Sequence, residues 1–196
     1  MAMLRTLAAA FLCLMLSTPA WAGMGEAMVA YSQRDYAAAL GEFRALASQG
    51  DRIAQYRIGK MYYYGQGVPQ DYAEALNWYK KAAGRDNADA LFSVARMYNS
   101  GIGVQRDYIE AMKWYRKAAE LGHGDSQTHL GLMYFVGMEV SRDHIEALKW
   151  LNIASSLGVD VAPRYSDIVA QRMTELQISE AQRMADDWLA EHMTPK

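Results

Sequence analysis

Asp71-Tyr-Ala-Glu-Ala-Leu-Asn-Trp-Tyr-Lys-Lys-Ala-Ala83 returns 36 residues later as Asp107-Tyr-Ile-Glu-Ala-Met-Lys-Trp-Tyr-Arg-Lys-Ala-Ala119. The opening of the phrase also stands, in the same register, at Asp35-Tyr-Ala-Ala-Ala-Leu40 and at Asp143-His-Ile-Glu-Ala-Leu148. Trp78, Trp114 and Trp150 keep the interval, as do Met61-Tyr62, Met97-Tyr98 and Met133-Tyr134, and Gly65, Gly101 and Gly137. Self-similarity at a fixed period with no insertion is the mark of stacked supersecondary units, each too small to bury its apolar face alone.

Local physics divides each unit into two helices. Asp71 is an N-cap whose carboxylate accepts a backbone N–H of the first turn, and Glu74, three residues on, is placed to reach back in a capping box. The pair recurs as Asp107/Glu110 and Asp143/Glu146, so repetition and capping account for these acids without a catalytic role. Ala75, Leu76, Trp78, Tyr79, Ala82 and Ala83 then recur at three- and four-residue steps, an amphipathic stripe. Gly50, Gly84, Gly122 and Gly158 fall near the predicted helix ends, where a left-handed cap costs least without a Cβ. A second helix, Ala54-Gln-Tyr-Arg-Ile-Gly-Lys-Met-Tyr62, stops at Gly65-Gln-Gly-Val68. Small Ala54 and Gly59 allow close helix approach. The paired glycines of this turn and of Gly101-Ile-Gly-Val104 are expected at positive φ. In the third copy, Gly137-Met-Glu-Val140, Glu139 replaces the second glycine, and that turn is expected to differ.

The Ala-x-x-x-x-Gly-x-Met-Tyr-x-x-Gly-x-Gly-Val helix and turn, followed by Asp-Tyr-x-Glu-Ala-x-x-Trp-Tyr-x-Lys-Ala-Ala, resembles the Sel1-like repeats of the tetratricopeptide (TPR) superfamily. The resemblance covers residues 51–86, 87–122 and 123–158, and residues 23–50 resemble a shorter TPR-like hairpin. It implies an all-α, right-handed superhelical solenoid of about ten helices in five antiparallel pairs, with no sheet. Residues 159–196 depart from the repeat and are expected to cap it. A helix is expected through Leu176, and another over 179–193 opened by a Ser179-Glu-Ala-Gln182 capping box. On that last helix Ala181, Met184, Ala185, Trp188 and Leu189 would cover the open core, while Asp186, Asp187 and Glu191 face water.

The first 22 residues read as a secretory signal peptide: Arg5 supplies the charge, Thr6 to Leu16 an apolar run, and Ala20-Trp21-Ala22 a small-x-small cleavage site. The run is too short to cross a hydrocarbon core about 30 Å thick. Cleavage after Ala22 would place the chain in the periplasm or outside the cell and remove Cys13, the single cysteine. Ala10-Phe11-Leu12 lack the small-residue spacing expected before a lipid-modified cysteine. The remaining chain would have no thiol, so packing rather than disulfides must hold it together. Of 20 basic and 22 acidic residues, only Arg5 precedes residue 23, so the balance becomes 19 to 22, a net charge of −3. Signs are mixed along every helix, which excludes the basic stripe of a nucleic-acid binder.

Catalytic chemistry finds little support. The four histidines, His123, His129, His144 and His192, show no His-x-x-x-His or Glu-x-x-His arrangement that would place metal ligands on one helix face. Ser126 and Ser155 lack a nucleophile-elbow glycine pattern, and no glycine-rich loop follows a strand pattern to cradle phosphate. No cofactor or metal is expected.

By the TPR resemblance, binding would occur on the concave face lined by the first helix of each pair. The matching positions are Ile53, Tyr56, Lys60, Tyr63 and Tyr64 in the first full repeat. In the second they are Asp89, Phe92, Arg96, Asn99 and Ser100, and in the third Asp125, Thr128, Leu132, Phe135 and Val136. Tyr and Arg suit an interface anchor, while aromatics at helical spacing also suit a core. The repeated tryptophans read as packing between hairpins. The expected function is a non-catalytic adaptor or regulator of the bacterial envelope that binds another protein or peptide. The alternatives are a glycan- or peptidoglycan-binding protein using Tyr56, Tyr63 and Tyr64 as stacking faces, and a β-lactamase-like enzyme, which the cysteine-rich pattern of that subgroup disfavours here. The end caps imply a monomer.

Overall fold

A computed structural model describes residues 20–138 and 141–193, with side chains from Gly23. Residues 1–19 of the expected signal peptide, Cys13 among them, and the Glu139-Val140 variation therefore lie outside the described residues. The chain order is α1 (Ala20–Ser32), α2 (Tyr36–Ser48), α3 (Arg52–Tyr64), α4 (Tyr72–Ala83), α5 (Ala88–Ser100), α6 (Tyr108–Glu120), α7 (Gly124–Val136), α8 (His144–Ser156), α9 (Ala162–Ala170) and α10 (Glu175–Met193). Among the described residues there is no strand.

The helix starts lie where the Asp residues place them. Asp35, Asp71, Asp107 and Asp143 each accept backbone N–H groups of the first turn of α2, α4, α6 and α8. The other half of the capping box is different. The backbone N–H groups of Asp71, Asp107 and Asp143 donate to the carbonyls of Tyr62, Tyr98 and Tyr134 at 3.0 to 3.1 Å, not to the glutamates. Glu110 and Glu146 turn along their helices instead and accept the indole N–H of Trp114 and Trp150, each at 2.9 Å. An intervening tertiary acceptor frees the glutamate for its downstream neighbour, a choice that local spacing alone cannot reveal.

The helix ends show a second correction. Gly50, Gly122 and Gly158 have φ of 88°, 81° and 83°, but Gly84 is right-handed at −65°. The left-handed residue of that joint is Asp86, φ 55°, which stands 36 residues after Gly50 and before Gly122. Register, not residue type, sets the conformation there. Gly65, Gly67, Gly101 and Gly103 all have the expected positive φ.

Consecutive helices α1/α2, α3/α4, α5/α6 and α7/α8 form four hairpins, and the second helix of each packs on the first helix of the next. The joints share a polar tie: Arg44, Lys80 and Arg116 donate to the hydroxyls of Tyr62, Tyr98 and Tyr134. Gly59 sits against Tyr79, where a Cβ would meet the ring at 2.6 Å, so the small residue does permit close approach. The tryptophans bridge hairpins. Trp78 of α4 packs on the cluster built by α1 to α3, and Trp114 touches the clusters on both sides.

At the C-terminal end, α9 and α10 each pack on α8 instead of forming a fifth hairpin. α9 stops at Ala170, and α10 opens four residues before Ser179. Its box is Thr174/Gln177: the Thr174 N–H donates to Gln177 Oε1 at 3.0 Å, and the Gln177 N–H to Thr174 Oγ1 at 3.3 Å. Ala181, Ala185 and Trp188 are buried, with Asp186, Asp187 and Glu191 exposed, so the covering face is as expected.

Candidate functional site

A cleft runs between α3 and α5, the first helices of two successive hairpins. Tyr56, Lys60, Tyr63 and Tyr64 line it from α3, Phe92, Ser93, Arg96 and Ser100 from α5, and nearly buried Tyr79 of α4 forms its floor. The space is small, about 120 Å³. Helical periodicity explains the grouping: positions 56, 60, 63 and 64 share one face of α3, and their counterparts at 92, 96 and 100 share the same face of α5.

The aromatic walls are packed among themselves. Tyr56 lies 5.6 Å from Tyr79, and Tyr63 meets Tyr64 at 5.0 Å and Tyr72 at 5.1 Å, both edge to face. Lys60 sits 5.8 Å from the Tyr56 ring centre, and Arg96 5.7 Å from that of Phe92. Burial pushes the Tyr79 phenol far above its ordinary range, with Tyr56, Tyr64 and Tyr63 adding to it. Burial, then Asp89, raise that of Tyr56. Both phenols keep their protons at neutral pH and are available as hydrogen-bond donors.

Not every position suggested by the sequence reaches this cleft. Ile53 is exposed beyond it. Asp89 is engaged by His123, whose Nδ1 accepts the Ser126 N–H as the α7 cap, leaving Nε2 3.5 Å from the carboxylate. Asn99 is half-buried away from the lining. Thr128 is 6% exposed, and its hydroxyl donates to the Gly124 carbonyl, so it is part of the interior of α7. Phe135 packs in the C-terminal cluster beneath the Arg172 guanidinium, 4.8 Å from its ring centre, because α9 returns over that end of α7.

The second joint shows why the cleft does not continue. Tyr115 replaces Tyr79 there and Phe92 replaces Tyr56, but the place of Ser93 is taken by His129. His129 stacks on Tyr115 at 5.0 Å and an interplanar angle of 9°. Ser93 is the determinant that the groove pattern missed. Aligning the copies would have flagged it, because Arg57, Ser93 and His129 differ at one register position.

His129 also makes stability depend on pH. Burial lowers its pKa from 6.5, Arg96 and His123 add to the depression, and Asp125 only partly opposes them. Because the folded pKa lies below the unfolded one, this site costs nothing above about pH 6.5. Below that, the unfolded chain takes the proton first and stability falls until the folded pKa is reached. The melting temperature of the parent is expected to drop between neutral and mildly acidic pH, and the drop to shrink in His129→Phe. Equal drops in both would show that His129 does not carry the effect.

Among the described residues no group of three or more histidine, cysteine or acidic side chains is arranged to hold a metal, and no helix is long and apolar enough to cross a membrane. Stacked helical hairpins with a side-chain-sized cleft between first helices define a helical-repeat solenoid. The family model described as Sel1 repeat matches residues 52–87, 88–123 and 124–159, and the chain belongs to the Sel1 repeat family. Proteins of this family are generally interaction scaffolds that bind other proteins, and their fold is typically non-catalytic. Among solved structures the chain is similar to c5321, a protective antigen of uropathogenic Escherichia coli displaying an SLR fold. The two share 29% identity with a TM-score of 0.72, over 79% of this chain and 33% of that one. It is also similar to a Sel1 repeat protein from Oxalobacter formigenes, at 27% identity and a TM-score of 0.67, over 86% and 75% of the two chains. The chain thus spans about a third of the first relative and three quarters of the second. No curated protein matches it.

Proposed function

We propose that the chain is a non-catalytic adaptor of the bacterial envelope, holding a partner protein by a segment that enters the cleft between α3 and α5. The observation that carries this reading is the contrast between two joints of one scaffold. Beside Ser93 the Tyr79 ring forms the floor of a cleft, whereas His129 stacks over Tyr115. The walls are tyrosine, phenylalanine and arginine, residue types that anchor interfaces at low ordering cost. The envelope location rests on the leader-like residues 1–22, whose removal would leave residues 23–196 without a cysteine.

Ser93→His copies at Tyr79 the arrangement that His129 makes at Tyr115, so this scaffold can accommodate it. Affinity capture from native envelope extract, with bound proteins identified by mass spectrometry, is expected to retain a partner on the parent and lose it on Ser93→His, with melting nearly unchanged. Equal retention by the folded variant would sink the cleft as the binding site. If the parent retained no protein, the adaptor reading would give way to glycan binding.

A further inference from the structure

Two cations line the cleft, Lys60 and Arg96, and no acid does. Among the described residues neither lies within ion-pair distance of a carboxylate; the lysine and arginine ion pairs are Lys113–Glu110, Lys149–Glu146 and Arg183–Asp187, each within one helix. Asp89, the α5 acid whose charge reaches Tyr56, lies outside the lining, with His123 Nε2 3.5 Å from its carboxylate. Both cationic heads are instead disposed over the aromatic walls, Lys60 over Tyr56 and Arg96 over Phe92. The basic residues of the repeated joint behave differently, since Lys80 and Arg116 are tied to the Tyr98 and Tyr134 hydroxyls. The Tyr56 and Tyr79 phenols add protonated donors to the same space. A small cleft that offers two charges and several donors, and supplies no acceptor charge of its own, is complementary to an anion.

We infer that the occupant of the cleft is an acidic segment of the partner protein, which seats a carboxylate between Lys60 and Arg96 and lays an adjacent apolar or aromatic side chain against Tyr79 and Phe92. This rests on the cleft being the partner site. The space admits side chains and not a folded domain, so the segment enters extended, and the Arg96 fork gives its carboxylate a preferred geometry.

The test uses two end-blocked random heptapeptide pools, one built from Asp, Glu, Leu and Tyr and the other from Lys, Arg, Leu and Tyr. Each is titrated into the full chain while the amide resonances of Tyr63 and Ser93 are followed. The acidic pool is expected to move these resonances and the basic pool to leave them. The apparent affinity should weaken as salt rises, and by about tenfold or more in the folded Lys60→Gln/Arg96→Gln double variant. Binding of the basic pool, no response to either pool, or an acidic response unchanged in the double variant would overturn the inference. Acetate alone moving the resonances as strongly would assign a free-anion site instead and also overturn it. In each of these cases, loss of capture by Ser93→His would still identify the cleft as the partner site, so the two readings fail separately.

Discussion

Trp150→Ala is expected to destabilise the folded chain by about 4 kcal/mol, the range for removing a fully buried large aromatic. Trp150 is 3% exposed, donates its indole N–H to Glu146 at 2.9 Å and meets Trp188 of α10 at 6.1 Å, edge to face. Its loss leaves a cavity where α10 docks and deprives Glu146 of its indole partner. In a solenoid, stability is largely a sum over neighbouring interfaces. The damage should therefore appear first as faster amide exchange in α10 and α8, then as a melting temperature lower by roughly 10 °C. Trp78→Ala should cost less, because Trp78 is only half-buried and its indole nitrogen has no hydrogen-bond partner. Equal costs at the two positions would contradict the role given to Trp150 in holding the cap.

Gly103→Ala is the second large effect, at about 2 to 4 kcal/mol from a left-handed backbone together with overpacking. Gly103 has φ 70°, and a Cβ there would lie 2.7 Å from the backbone carbon and oxygen of Tyr72. Tyr72 is the first residue of α4, so the turn that ends one hairpin's first helix rests on the start of the preceding hairpin's second helix. Gly67 makes the same approach to Tyr36. The neighbour is backbone and cannot rotate away. Gly84→Ala is the matching control, since φ is −65° and the nearest atoms beyond a new Cβ are carbonyl oxygens at 3.5 and 3.6 Å. Chemical denaturation of both variants should separate them clearly, and parent-like stability of Gly103→Ala would show that the turn can move off α4.

Much of the lining of the candidate cleft was legible before any coordinates. Tyr56, Lys60, Tyr63, Tyr64, Phe92 and Arg96 follow from helical spacing combined with the repeat resemblance, and the fold brings all six to one cleft. Thr128 and Phe135 follow the same spacing yet are withdrawn, one by a hydrogen bond within α7 and the other by α9 crossing over. Periodicity tells which way a residue points from its own helix. It carries no information on what a later helix places on top.

From the sequence by itself came the period, the hairpins, the Asp caps that start α2, α4, α6 and α8, and the glycine turns, because each depends on interactions within a few residues or on recurrence along the chain. Tertiary structure alone decided that the N-cap backbone of α4, α6 and α8 donates to a tyrosine carbonyl and not to its own glutamate. It decided that α9 and α10 both close over α8, and that one joint is open under Ser93 while the next is shut by His129. These outcomes are contests between groups far apart in sequence for the same donor, surface or space, and only their placement in three dimensions settles which one prevails.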